Sequence, residues 1–313
     1  MRFLITAIGS MSAECVIRRL KAAGHYVVGC DIYPGEWHYE TRLCDSFVRA
    51  PFASSEKAYI QFLIDTCCNY NLDFIIPLTD LEIDVISHNR YVIENNGITL
   101  CMPSNNVLSI ARNKYKLHTT FIDDPIVASI KTFLIKDIPS DFIYPCIAKP
   151  YNGRSSEGLI RAATKAQIMA LENKDNYIVQ EQLRGDIYTV DYCRSSLFDL
   201  DASVPRIELL RTKNGAGLSI KIINDPNLIN IASHIGKTLD INGCVNFEFI
   251  KHNNEYYLID INPRFSAGVA FSLISGYDMV LNHIHCHTNK KIDAQIPIKE
   301  RIIIKKYEEV AIE

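Results

Sequence analysis

The sequence predicts an α/β fold with a Rossmann-like first lobe, followed by two lobes that mix helices with strand hairpins (α+β). Over the first lobe, short apolar runs alternate with amphipathic stretches, a pattern typical of a parallel sheet wrapped by helices. In the middle of the chain, strand-like runs flank a polar Gly/Ser loop, which indicates a hairpin. The last part contains strand-like runs around one amphipathic helix.

Composition limits the classes of function. The chain has 313 residues, enough for two ordinary domains or three smaller lobes. It carries 33 Lys and Arg against 36 Asp and Glu, a net charge of −3, which argues against a nucleic-acid or anionic-membrane surface. Hydrophobic residues make up 48% and charged residues 22%, as in folded globular proteins. We therefore expect neither nucleic acid nor membrane as a partner.

Targeting signals and cysteine use favour a cytoplasmic protein. The first apolar run, Phe3–Ile8, is too short for a secretory signal or a membrane span. The 10 cysteines are scattered and include no CxxC pair, as expected for reduced thiols.

The elements of the first lobe follow from local periodicity. Residues Met11, Cys15, Leu20 and Ala23 recur at helical spacing after the first strand. Predicted strands are Phe3–Ile8, Tyr26–Cys30, Phe74–Ile76 and Ile98–Cys101, and predicted helices begin near Met11, Glu56, Glu82 and Asn105.

The turn after the first strand lies where a dinucleotide fingerprint would fall. It has one glycine, Gly9, where G-x-G-x-x-G requires three, so the tight turn and the close approach of a pyrophosphate are not provided for. Asp31 ends the second strand, as a ribose-binding acid would, but it is equally a turn former. An NAD(P) oxidoreductase is therefore the third interpretation in order of preference.

The middle lobe carries a phosphate-binding pattern. Strands are predicted at Lys131–Ile135, Cys146–Lys149 and Leu159–Ala162. Lys149 ends a strand, and the loop that follows combines Gly153 and Gly158 with Ser155 and Ser156, a set that can hold a polyphosphate by charge, N–H and O–H donors. The spacing differs from that of a Walker P-loop.

Acidic and amide side chains recur in the last lobe. Strands are predicted at Tyr188–Cys193, Cys244–Ile250, Tyr256–Ile261 and Arg301–Lys305, and a helix at Asn227–Leu239. Period-2 alternation puts Glu248 on one strand and Asp260 with Asn262 on one face of the next. If the two strands form a hairpin, three hard oxygen ligands converge, which suits Mg²⁺. Arg264 extends the same row.

A pair of histidines in the last lobe suggests zinc at first sight. His283 and His287 are four residues apart on a predicted helix. No acidic residue or fourth ligand lies at the spacing of a known zinc motif. We therefore interpret these histidines as part of a partly buried helix face instead of a zinc site.

Taken in order, these motifs resemble the ATP-grasp superfamily, specifically the stand-alone ligases similar to the large subunit of carbamoyl-phosphate synthase. The resemblance rests on Ile110–Lys114, on Lys149 with its loop, on Val179–Leu183, on Pro205–Arg211 and on the Glu248, Asp260, Asn262 and Arg264 row. It implies a preATP-grasp domain over residues 1–112, a small lobe with a flexible phosphate loop over 113–184, and a C-terminal lobe with a metal site over 185–313.

The resemblance also implies roles for single residues. ATP would be bound by Lys114, Lys149, Gly153, Ser155, Ser156, Glu181, Gln182, Leu183 and Asp186. Because Ile187 stands where the family has its ribose-binding acid, either Asp186 substitutes for that acid or the ribose contact is weaker. Metal ligands would be Glu248, Asp260 and Asn262, with Asp260 in place of the usual Glu. Substrate would contact Arg206, Arg211 and Arg264, and the catalytic cations would be Lys149, Arg211 and Arg264.

The implied reaction is Mg-ATP-dependent ligation of a small carboxylic acid, such as an amino acid or sugar acid, to an amine or thiol. A carboxylate is a poor acyl donor, and phosphorylation by ATP makes an acyl phosphate while ADP and then phosphate are released. The anionic transition state requires several cations, including two Mg²⁺ ions, which Mn²⁺ could replace. The alternative is an ATP-binding sensor or scaffold without ligation. The resemblance further implies a homodimer formed through the first lobe.

Overall fold

The computed structural model describes residues 1–153 and 157–311. In the first lobe the strands are β1 (Arg2–Ile5), β2 (Tyr26–Asp31), β3 (Ser46–Arg49), β4 (Phe74–Ile76) and β5 (Thr99–Leu100). The helices are α1 (Ala13–Ala22), α2 (Glu56–Tyr70), α3 (Asp80–His88), α4 (Arg90–Glu94) and α5 (Asn105–Ala111), with 3₁₀ turns at Gly35–Trp37 and Tyr39–Leu43. The strands pair in parallel in the order β3-β2-β1-β4-β5, which confirms the predicted Rossmann-like sheet.

The second lobe is built on an antiparallel sheet. Its elements are α6 (Lys114–Thr120), β6 (Ala128–Ser129), β7 (Thr132–Leu134), a 3₁₀ turn (Ile135–Asp137), β8 (Cys146–Pro150), β9 (Ile160–Ala162), α7 (Lys165–Met169), a 3₁₀ turn (Lys174–Asn176) and β10 (Tyr177–Glu181). The order is β7-β10-β8-β9, so β8 and β9 pair as the predicted hairpin around the Gly/Ser loop. The short strand β6 leaves this lobe and joins the next sheet.

The third lobe contains the largest sheet. Its elements are β11 (Asp186–Ser195), β12 (Leu200–Arg211), β13 (Gly217–Ile222), α8 (Pro226–Thr238), β14 (Gly243–His252), β15 (Glu255–Asn262), α9 (Val269–Ile274), α10 (Met279–His287) and β16 (Arg301–Ile304). The order is β16-β13-β12-β11-β14-β15-β6. Helix α8 begins at Pro226 because the Asp225 carboxylate accepts bonds from the next free N–H groups and proline fits the first helical position.

The first and third lobes share one hydrophobic core. Apolar side chains of β1 and α1, such as Phe3 and Val16, belong to the same buried cluster as Val204 of β12 and Phe271 of α9. This packing brings the carboxyl ends of β1 and β4 against the large sheet. The carboxyl edge of a parallel sheet is where such folds bind ligands.

Candidate active site

A cavity of about 530 Å³ lies where the first lobe meets the large sheet. The first lobe contributes the turns at Ser10–Ser12 and Leu78–Leu81, which follow β1 and β4. The third lobe contributes Thr189, Arg206, Glu208, Arg211, Asn214–Gly217, Asn246, Glu248, Asp260, Asn262, Arg264 and Ser266–Gly268. The cavity therefore collects the acidic, amide and arginine positions that the sequence singles out in the last lobe.

The predicted β14–β15 hairpin gathers the acidic and amide side chains at one end. Glu248 pairs with Asp260 across the two strands, and Asn246 pairs with Asn262. Asn262 Nδ2 lies 3.5 Å from Glu248 Oε1 and 3.2 Å from Asn246 Oδ1. The register shifts between Glu248 and Phe249, and the pairs that contain these four side chains all lie on the same side of that irregularity.

Each carboxylate of the hairpin meets a cation from another element. Arg211 of β12 places Nη2 3.1 Å from Glu248 Oε2, while its Nε donates to the carbonyl of Gly215. Lys114, at the start of α6, places Nζ 3.1 Å from Asp260 Oδ2 and donates to the carbonyl of Gly153 at 2.8 Å. The carboxylates are thus neutralised from two sides.

Lys149, on β8, is the exception among these cations. It is 7% exposed, and within residues 1–153 and 157–311 its ammonium has no hydrogen-bond or ion-pair partner. Burial lowers the pKa of Lys149 to about 8; the charge of Lys114 adds to this, and Asp260 and Glu248 oppose it. The arrangement leaves a buried ammonium that is close enough to Asp260 and Glu248 to feel their charge but has no direct partner among the described residues.

Arg206 lies in the cavity wall, but its guanidinium is already engaged. Nη1 is 2.9 Å from Asp191 Oδ2, and Nε donates to Glu208 Oε1 at 3.0 Å. Asp191 also accepts from Ser272 Oγ at 2.6 Å and from the Asn246 amide at 3.1 Å. The sequence prediction assigned no role to Asp191 or Asn246; the available signal was a polar residue flanked by apolar ones within a strand.

Arg264 reaches across to the first lobe. Its Nε and Nη2 lie 2.9 and 3.1 Å from the two carboxylate oxygens of Asp80, which is 5% exposed. Burial alone would raise the pKa of Asp80, but Arg264, with Arg112 and Lys114 nearby, holds it below its usual value. The sequence prediction missed Asp80 because 184 positions separate it from Arg264.

The residues predicted to bind adenosine lie at the junction of β10 and β11. Glu181, Gln182 and Leu183 are half-buried, and Asp186 is exposed at the start of β11. Ser155 and Ser156 lie outside the described residues. The nucleotide contacts of all these side chains stay predictions.

The turn after β1 leaves no room for a dinucleotide. The Asp31 carboxylate accepts from the backbone N–H groups of Gly9 and Tyr33 at 3.0 and 3.2 Å, and His38 Nε2 lies 3.4 Å away. The His38 ring fills the space beside Gly9, where even a Cβ would come within 2.4 Å of it. Both the acid and the space that a cofactor ribose and pyrophosphate would need are therefore taken.

Of the histidines on α10, His283 is buried and His285 and His287 are half-buried. His283 Nδ1 accepts from the N–H of Cys244 at 2.8 Å, and Nε2 donates to the carbonyl of Cys101 at 3.0 Å. Burial lowers the pKa of His283 to about 4. With both ring nitrogens bonded to the backbone, His283 has no lone pair to offer a metal.

The hairpin end provides the donor set that fits a hard divalent cation. Among residues 1–153 and 157–311, no three His, Cys, Asp or Glu side chains are grouped so that they could hold a metal. The carboxylates of Glu248 and Asp260 and the amide of Asn262 nevertheless offer oxygen donors on adjacent strands, the ligand type that Mg²⁺ prefers.

The described helices are all too short or too polar to cross a membrane.

Comparison with known proteins identifies the architecture. A family described as ATP-grasp in the biosynthetic pathway with Ter operon matches residues 173–310, from just before β10 to just beyond β16. The biotin carboxylase domain of Hydrogenobacter thermophilus 2-oxoglutarate carboxylase, a dimer in complex with MgADP, ADP and bicarbonate, matches with a TM-score of 0.79 at 15% identity, over 94% of this chain and 71% of that one.

Two further solved structures match the fold of this chain. Biotin carboxylase from Campylobacter jejuni, in a β-γ-ATP complex, matches with a TM-score of 0.77 at 17% identity, over 96% of this chain and 74% of that one. N5-carboxyaminoimidazole synthetase from Staphylococcus aureus, complexed with ADP, matches with a TM-score of 0.76 at 13% identity, over 97% and 81%. These matches establish the ATP-grasp fold for this chain.

Proposed function

We propose that this chain, which has the ATP-grasp fold, is a Mg-ATP-dependent ligase that joins a small carboxylic acid to an amine or a thiol. The observation that carries the proposal is the cluster at the cavity: Glu248, Asp260 and Asn262 gather at one hairpin end, and Arg211 and Lys114 reach it from two other elements. Such a mixture of oxygen donors and cations suits the transfer of a phosphoryl group.

In this proposal the nucleotide lies between the second and third lobes. Glu181, Gln182 and Leu183 would contact adenine, and Asp186 the ribose. Lys149 would contact the phosphates, because an anion there would bond directly to a buried ammonium that has no hydrogen-bond or ion-pair partner among the described residues. Lys114 would contact the phosphates from the other side.

The proposed metal ligands are Glu248, Asp260 and Asn262. A divalent cation bound there would neutralise charge on the phosphates and on the group in transit. Binding of Mg-ATP would require Arg211 and Lys114 to share or leave these carboxylates, so both cations become available to phosphate oxygens.

The chemistry then has two displacements. A carboxylate oxygen of the first substrate attacks the γ-phosphorus while the bond to ADP breaks, which gives an acyl phosphate. The amine or thiol attacks the carbonyl carbon, and phosphate leaves with the bonding electrons. Arg264 and Arg211 would hold the substrate carboxylate and the transferred phosphoryl group. Arg206 would shape the wall, since its donors are engaged by Asp191 and Glu208.

The test is turnover with substrate pools. The protein is incubated with Mg-ATP and pooled small carboxylic acids and amines, and the expected result is substrate-dependent release of ADP and phosphate, absent in Glu248→Gln. Release of AMP and pyrophosphate would refute the proposed chemistry. Binding of Mg-ATP without substrate-dependent turnover would favour a sensor or scaffold. The lobe boundaries, a homodimer and a cytoplasmic location are proposed with this function.

A further inference from the structure

The ion pair between the first and third lobes bears on the proposed reaction. Arg264 Nε and Nη2 face the two oxygens of Asp80 at 2.9 and 3.1 Å, a two-point contact that fixes the plane of the guanidinium. Nη1 donates to the carbonyl of Phe265 at 3.1 Å. Three of the five N–H groups of Arg264 are therefore committed, and the other two have no partner in the part of the chain that the structure describes.

The free donors of Arg264 belong to a side chain that lines the cavity. The bonds from Nε and Nη2 to Asp80 hold one edge of the guanidinium, and the bond from Nη1 to Phe265 holds it at a third point. The guanidinium therefore cannot rotate without breaking at least two of these contacts. A substrate carboxylate or a transferred phosphoryl group in the cavity would therefore meet an arginine that is already oriented.

Asp80 is suited to act as this anchor. It is 5% exposed, and it occupies the first position of α3, where the helix N-terminus favours a negative charge. Three cations, Arg264, Arg112 and Lys114, act on its carboxylate, so it stays ionised. The anchor is rigid because the first and third lobes share one packed core.

We infer that Asp80 is a positioning residue for the ligase reaction: it orients Arg264 toward the group in transit, so the first lobe completes the active site. This inference rests on the proposed function. It assigns no substrate contact to Asp80 itself, and its effect passes through Arg264.

The chain contains a matched control on the same helix. One turn after Asp80, Asp84 accepts from Arg112 with the same two-point geometry, at 2.8 and 2.9 Å. Neither Asp84 nor Arg112 is among the described residues that line the cavity. Asp80→Asn and Asp84→Asn therefore each remove a carboxylate that holds an arginine at two points. The Asp84 side chain is more exposed, at 36% against 5%, and only Asp80 holds an arginine that lines the cavity.

The experiment compares turnover per Mg-ATP-binding molecule in the full-length protein. Asp80→Asn should lower kcat about 10- to 100-fold, as expected for a misoriented reacting group, while the KM for ATP changes less than about threefold. Asp84→Asn should keep kcat within about twofold. In an Arg264→Gln background, Asp80→Asn should lower kcat by less than about threefold more, because the residue on which it acts is gone.

A second measurement does not depend on activity. Hydrogen exchange at the Arg264 Nε–H, followed by ¹⁵N NMR and assigned with Arg264→Lys, should be slow in the wild type and in Asp84→Asn, and at least about tenfold faster in Asp80→Asn. Equal kcat in Asp80→Asn and Asp84→Asn, full additivity with Arg264→Gln, or unchanged exchange would overturn the inference. A wild type without turnover would refute the proposed function alone, and the exchange rates would then decide whether Asp80 positions Arg264.

Discussion

Lys149 on β8 and His283 on α10 are both buried basic groups whose pKa is lowered by burial, to about 8 and about 4. They differ in their partners. Both ring nitrogens of His283 are bonded to backbone groups, while Lys149 has no partner among residues 1–153 and 157–311. A buried group with hydrogen-bond partners supports packing, whereas a buried cation without a direct partner costs stability until a ligand supplies one. The comparison therefore separates a structural site from a binding site.

Replacing Lys149 should produce the largest effect. Lys149→Met keeps the length of the side chain and removes its charge, so we expect kcat/KM for ATP to fall about 10³-fold, or about 4 kcal/mol. The same change should raise the melting temperature of the ligand-free protein, because the buried charge is gone. Turnover assays and thermal unfolding without nucleotide measure both.

His283→Gln is the control and should do the reverse: it should lower stability and preserve turnover per folded molecule. Near-normal turnover in Lys149→Met would contradict the comparison.

The next prediction concerns Asp260, whose carboxylate acts on the charge of Lys149. Asp260→Asn withdraws the partner of Lys114 and one proposed metal ligand, so the Mg²⁺ concentration for half-maximal turnover should rise about 10²-fold. Titration of turnover with Mg²⁺ measures this, and removal of Mg²⁺ with a chelator should abolish turnover in the wild type. Asp240→Asn is the control, because that carboxylate is 79% exposed, pairs with Arg194 and does not line the cavity. An unchanged Mg²⁺ requirement would remove Asp260 from the metal site.

Lowering the pH should destabilise the fold through protonation of His283. The pKa of His283 is about 4 in the fold, against 6.5 for an unperturbed histidine, so its neutral form is favoured by folding. That stability is fully present above pH 6.5 and is lost as the pH falls toward 4. By pH 5 the loss is about 2 kcal/mol, from 1.5 pH units at about 1.36 kcal/mol each. Urea unfolding at pH 7.5 and pH 5 measures it. His283→Gln should lose about 2 kcal/mol less over this interval than the wild type, and an equal loss would show that His283 is not responsible.

The fold was largely predictable because its signals are local. The parallel strands of the first lobe, the hairpin around the Gly/Ser loop and the β14–β15 hairpin all follow from periodicity and turn residues. Bounds shifted by a few residues: the first strand ends at Ile5 instead of Ile8, because the chain turns at Ala7, which has a left-handed backbone. Strand β3 was not predicted, since its half-buried residues show no clear alternation.

The site was predictable only where its residues are close in sequence. Glu248, Asp260 and Asn262 lie on paired strands, so their convergence follows from alternation. The Asp80–Arg264 pair depends on how two lobes pack, which no local pattern encodes. Arg206 lies in the cavity wall, and its predicted contact with substrate stays a prediction. Its engagement by Asp191 depends on strand pairing over a longer range.

The smallest effect concerns the turn after β1, where a dinucleotide would bind. Mg-ATP at about 100 times its Kd should stabilise the protein by about 2.7 kcal/mol, while NAD⁺ or NADP⁺ should leave the melting temperature unchanged. The reason is steric and electrostatic: His38 fills the space beside Gly9, and Asp31 already accepts two backbone bonds. His38→Ala opens the space but leaves Asp31 occupied, so it should not create dinucleotide binding either. Stabilisation by NAD(P) greater than that by Mg-ATP would mean that the first lobe, and not the cleft around Lys149, is the nucleotide site.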